Sequence, residues 1–243
     1  FDVDLAEQLA KLIEVELEIV KLPFGQLIGA LESGRADMII SGMTITAART
    51  RNVTFVCPYM LSGKSMLATP RTAAQLKSEG GLDSPDIRLV ALDGSTSEAL
   101  IRRDMPKVSL VKVEDYDAGL KLLFGGQASG MVADLPILAM ANQRNREAGL
   151  VLVRPPLSIE PLGIVIARGD DQLENLLRNY LAVFEKTGLL LDLHPVPAGR
   201  GGHDDPGPSV SCRTGPRPAL GQTIAGRSAV RQCCLRRNPR SAR

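Results

Sequence analysis

The chain has 243 residues, 44% hydrophobic and 23% charged, enough to bury a core in one or two domains. No apolar run approaches the roughly 20 residues that a membrane helix needs. The net charge of +2 is unevenly spread: residues 196–243 hold nine Arg against two Asp, leaving −5 on residues 1–195, which argues against a nucleic-acid surface there.

The chain opens at Phe1-Asp-Val-Asp4, already in a helix start, with neither an initiator Met nor a basic-then-apolar leader. The true N-terminus is expected upstream. Leu5, Leu9, Leu12 and Ile13 have the spacing of one helix face, and residues 15–20 alternate like a strand. Residues 26–31 read as a helix stopped near Gly34, and residues 37–40 as a short buried strand. This α-β-α-β order predicts parallel strands with helical crossovers. Residues 53–69 read as extended, broken at Pro58 and Gly63. From there strands are expected at 88–92, 108–113, 130–133 and 150–153, with helices at 95–103, 116–124 and 135–145. A strand at 162–167 and a helix at 171–186 follow, with Gly188 as the helix stop.

The expected organisation is two lobes. Residues 1–67 with 156–195 form a discontinuous lobe one, and 68–155 form lobe two. Ligands of such folds bind at the carboxyl ends of strands, in the cleft between lobes.

Three segments carry candidate chemistry. The run Ser41-Gly-Met-Thr-Ile-Thr-Ala-Ala-Arg49 follows a strand and combines hydroxyls, backbone N–H groups and a planar donor that matches a carboxylate. A Thr-capped turn with a solvated Arg would use the same residues. Asp93-Gly-Ser-Thr-Ser-Glu98 joins a strand to a helix. Ser95 and Glu98 have capping-box spacing, with Glu98 expected on the Ser95 N–H, and the helix N-terminus attracts an anion. Asp134 ends a strand ahead of Pro136. It could cap the next helix, accept a hydrogen bond from an ammonium group, or do both.

The order Phe1-Asp-Val-Asp-Leu-Ala, Ser41–Arg49 with Pro58-Tyr59, Gly94–Glu98, Asp134, then Pro161-Leu-Gly-Ile and Arg168-Gly-Asp resembles family 3 of the bacterial extracellular solute-binding proteins, the amino-acid receptors of ABC importers. The resemblance covers about residues 1–194. It implies a type II periplasmic-binding-protein fold of class α/β, with lobe one's first strand before Phe1. It implies that Arg49, Thr44, Ser95 and Thr96 hold a ligand carboxylate and that Asp134 holds its ammonium. Ser41 and Gly42 would offer backbone groups. The implied partners are an amino acid or a close relative and an ABC permease, for a monomer in the periplasm or lipid-anchored outside the cell. No cofactor, metal or catalytic residue enters this reading.

Two alternatives use the same fold: a cyclohexadienyl dehydratase-like enzyme, and the input domain of a sensor. His194 and His203 fall at or beyond the end of the body, and Glu98 is the best spare carboxylate for an enzyme. The tail from residue 196 has no Lys, no Glu and no periodicity, and is expected to be disordered and non-native. Cys233, Cys234 and His203 fit no zinc spacing. Cys57 is the one Cys in residues 1–195, so no disulfide framework within that body is expected, and the redox compartment cannot be read from it.

Overall fold

The computed structural model describes residues 1–76, 81–193 and 233–237, the last at backbone level. Two compact units partition the chain. Unit 1 takes Phe1–Leu22, Leu27–Leu61 and the chain from Glu160 onward; unit 2 takes Pro23–Gln26 and Ser62–Ile159. The sequence places these boundaries at 67/68 and 155/156. The compact units divide instead at 61/62 and 159/160, each inside a continuous strand.

In unit 1, helix α1 (Asp2–Leu12) buries Leu5, Ala6, Leu9 and Ala10 on one face. Strand β1 (Leu17–Val20), helix α2 (Leu27–Glu32) and strand β2 (Met38–Ile40) follow. Strand β8 (Ser158–Ile166) returns late in the chain and pairs antiparallel with β2, matching Met38 to Ile166. Helix α7 (Asp171–Lys186) starts on Asp170, whose carboxylate accepts from the Leu173 N–H at 2.9 Å. A short helix α8 (Leu189–Asp192) follows Gly188, whose φ of +78° suits glycine. The core joins Leu5 and Leu9 to Met38, Ile40, Ile164 and Ile166, and to Leu173, Leu177, Leu181 and Phe184 of α7.

Strand β9 (Cys233–Arg237) lies between β1 and β2, antiparallel to both, pairing Leu17 with Arg237 and Ile40 with Cys233. This departs from the expectation of a disordered tail over these five residues. Each neighbouring strand has an edge of backbone donors and acceptors that a strand here satisfies. The remainder of the tail, with His194 and His203, lies outside the described residues. Cys57 is disulfide-bonded.

Strand β3 (Thr54–Ala68) is continuous over 15 residues. It is not broken at Gly63, where a side chain would meet Pro156 Cβ at 2.7 Å. The glycine permits a close approach and does not end the strand. In unit 2 the strand order is β3, β6 (Gly130–Asp134), β4 (Arg88–Leu92), β5 (Ser109–Val113), with the two-residue β7 (Val151–Leu152) also on β3. β4 runs parallel to β5 and β6, as the crossover pattern predicts; β6 is antiparallel to β3. Helix α3 (Pro70–Leu76), not anticipated, starts with Pro at its first position and Thr69 Oγ1 accepting from the Thr72 N–H. Helices α4 (Thr96–Asp104), α5 (Tyr116–Phe124) and α6 (Leu135–Arg144) complete the unit. Its core gathers Met66, Leu89, Ala91, Leu100, Ile101, Val132 and Val153.

Candidate functional site

In unit 1 the chain leaves β2 into Ser41–Arg49. Ser41, Met43 and Thr44 are buried because this segment is stitched to neighbours on both sides. Gly42 adopts φ +58°, and its N–H donates to Tyr59 Oη at 3.1 Å; that hydroxyl donates to Asp2 Oδ1 at 3.1 Å. Thr44 forms an antiparallel bridge with Leu162, and its hydroxyl donates to Glu160 Oε2 at 2.8 Å. Arg49 opens a short 3₁₀ turn whose first N–H is held by Thr46 Oγ1. Its guanidinium folds back to donate from Nη1 to the Thr44 carbonyl at 2.9 Å. Ser41, Gly42, Thr44 and Arg49 therefore occupy one compact segment, with the planar donor of Arg49 at its end.

In unit 2 the candidates follow the carboxyl ends of two adjacent parallel strands, β4 and β6. Gly94, at φ +69°, turns the chain from β4 into α4. Ser95 caps that helix, its hydroxyl accepting from the Glu98 N–H at 3.2 Å. Glu98 reaches back to the Gly94 N–H at 2.9 Å, one residue earlier than capping-box spacing predicts. The left-handed turn at Gly94 presents that N–H, while the Ser95 N–H is held by the Leu92 carbonyl. Thr96 is the first helical residue.

A charged network surrounds this turn. Lys112 bonds Asp93 and approaches Glu98, which also pairs with Arg102 at 2.9 Å. The hydrogen bond from Lys112 holds the Asp93 carboxyl below its ordinary pKa, outweighing partial desolvation; the same bond, with Glu98 nearby, raises Lys112.

Asp134 ends β6. Its side chain makes no capping bond to α6, so the cap reading fails. The carboxylate turns instead to Lys64, directly opposite on β3, with Nζ–Oδ2 at 2.7 Å. Both side chains are nearly sealed, at 3% and 4% exposure. The pair explains the departure: a charge in the interior of a strand requires a counter-charge, and Asp134 is the cross-strand neighbour. Asp134 Oδ1 is buried and accepts no hydrogen bond among the described residues.

Sequence reasoning missed Lys64, Tyr59, Asp2 and Glu160 as neighbours of the candidates. Lys64 carried a signal, since it is the one charged residue in the 15-residue strand β3. Cavities of about 540 Å³ beside Ile13, Val15 and Leu173, and about 180 Å³ beside Thr69, Arg71 and Ser129, are lined by none of the candidates.

The two α/β units, the discontinuous first unit and the loops after strand ends define a periplasmic-binding-protein type II fold. The model of bacterial extracellular solute-binding proteins, family 3, matches residues 1–194, and the chain belongs to that family. It is 29% identical over 191 residues to the ABC transporter glutamine-binding protein GlnH of Bacillus subtilis, covering 77% of this chain and 68% of that one. It is 24% identical to the cyclohexadienyl dehydratase of Pseudomonas aeruginosa, covering 78% and 70%. A binding component of an ABC transporter from Wolinella succinogenes, solved with lysine, matches with TM-score 0.73 and 32% identity, covering 79% and 82%.

Proposed function

We propose that this protein binds a free amino acid and delivers it to an ABC importer. Asp134 Oδ1 carries the proposal: a buried carboxylate oxygen without a hydrogen bond among the described residues is an acceptor for a solute ammonium group. In this scheme the solute carboxylate is taken by Arg49 and Thr44 and by the N-terminal turn at Ser95 and Thr96. Ser41 and Gly42 supply backbone groups beside it. Guanidinium, hydroxyls and a helix N-terminus are donors suited to a carboxylate. The permease of the importer is the proposed partner, and the periplasm the proposed compartment, for a protein acting as a monomer without catalysis.

Titration calorimetry of the protein against the twenty amino acids tests this. Saturable binding of at least one is the expected result, and silence from all twenty overturns it.

A second reading, a dehydratase, is favoured by the Pseudomonas relative. Such chemistry needs a general acid or base. Turnover of prephenate or arogenate would place the protein there and displace the binding role.

A further inference from the structure

Buried ion pairs are costly to assemble and leave net charge unchanged. Lys64 and Asp134 cancel at a point where Asp134 Oδ1 still lacks a hydrogen-bond partner. Ser62, two residues before Lys64 on the same face of β3, adds a second buried polar atom without a partner among the described residues, its Oγ. Unit 2 thus offers a neutral patch with an unused acceptor and an unused hydroxyl. A lone carboxylate in that place would demand a cation from every solute. The neutral pair does not.

We propose that Lys64 is a specificity-determining residue, an internal ammonium that sets which solutes the Asp134 site accepts. The inference rests on the amino-acid-binding reading and extends it. A zwitterion adds no net charge to the pair. A decarboxylated amine adds an unbalanced cation in a buried position, where electrostatic penalties are large. A deaminated acid brings no ammonium to Oδ1, with Asp134 still compensated by Lys64. The site therefore tolerates loss of the solute's ammonium better than loss of its carboxylate. Removing Lys64 reverses this order. Asp134 would then be a lone buried anion that only an ammonium-bearing solute neutralises.

The experiment compares three probes built on the amino acid that binds tightest among the twenty: that acid, its decarboxylated amine and its deaminated acid. For glutamine these are glutamine, 4-aminobutanamide and glutaramate; for lysine, lysine, cadaverine and 6-aminohexanoate. Calorimetry on wild type is expected to show weaker binding of the amine than of the acid. In Lys64→Met the amine-to-acid ratio of Kd is expected to fall by about tenfold or more, the size of a buried charge coupling. Lys64→Arg, which keeps the cation, is expected to hold the ratio within about threefold.

A ratio unchanged in a folded Lys64→Met that still binds the amino acid overturns the inference and leaves the amino-acid reading intact. If Lys64→Met does not fold, the wild-type measurement decides: an amine bound as tightly as the acid overturns the inference. Absence of binding by all twenty amino acids overturns both readings.

Discussion

Arg49 and Asp134 are both held by protein partners, but in different ways. Arg49 donates to a backbone carbonyl within its own segment, at 2.9 Å. Asp134 is committed to a charge 70 positions away. Replacing Arg49 by Ala is expected to weaken amino-acid binding by about thirtyfold or more, the equivalent of roughly 2–5 kcal/mol, with little change in melting. Calorimetry beside a thermal melt checks both halves. Asp134→Asn is expected to lose binding on a similar scale and also to lower the melting midpoint, because Lys64 is left buried without its counter-charge. The contrast tests whether Asp134, paired with buried Lys64, supports the fold as well as the proposed site. The local bonds of Arg49 to Thr44 and Thr46 were within reach of the sequence because they span five residues or fewer. The partner of Asp134 was not, since cross-strand register cannot be read from either strand alone.

At the scale of elements, the helix that begins at Thr96 depends on Ser95. Ser95→Ala is expected to cost about 1 kcal/mol, lowering the melting midpoint by a few degrees. Strand β3 depends on Gly63 for a different reason. Gly63→Ala would force a methyl to within 2.7 Å of Pro156 Cβ and 3.2 Å of the Ser158 carbonyl. That overpacking is expected to cost about 1–3 kcal/mol, read by denaturant unfolding.

The Asp93 network adds a pH dependence. The carboxyl's pKa is lowered in the folded protein, so its stabilisation is complete above the usual carboxylate range and is lost as pH falls through the depressed folded value. Asp93→Asn is expected to remove that part of the acid sensitivity in melts taken below neutral pH. Most elements were visible as periodicity: Leu5 and Leu9 on α1, and Leu173, Leu177, Leu181 and Phe184 on α7, all reach the core. What periodicity concealed was continuity. Pro58 and Gly63 look like breaks, and Pro161 hides the early start of β8, yet both strands run through.

At the scale of the molecule, unit 1 is assembled from separated pieces of chain, and unit 2 mainly from one stretch. The two-unit division could be inferred from the leftover β-α piece at 162–186, which was expected to cross back and complete the strand-poor first block. The strand at 233–237 could not, since no period marks it. Leu235→Pro would delete a backbone donor in the middle of β9, which is paired on both sides. It is expected to lower the stability of unit 1 by about 1–3 kcal/mol, seen as loss of protection of β1 and β2 amides in hydrogen exchange.

The pairings of Met38 with Ile166 and of Leu17 with Arg237 also set a timetable for the nascent chain. Unit 2 has all its residues once position 159 has left the ribosome, whereas α1, β1 and β2 must wait for partners made later. Contacts this remote close slowly. A nascent chain stalled once residue 159 has cleared the ribosome is therefore expected to protect residues 62–159 from protease while residues 1–61 are still cut.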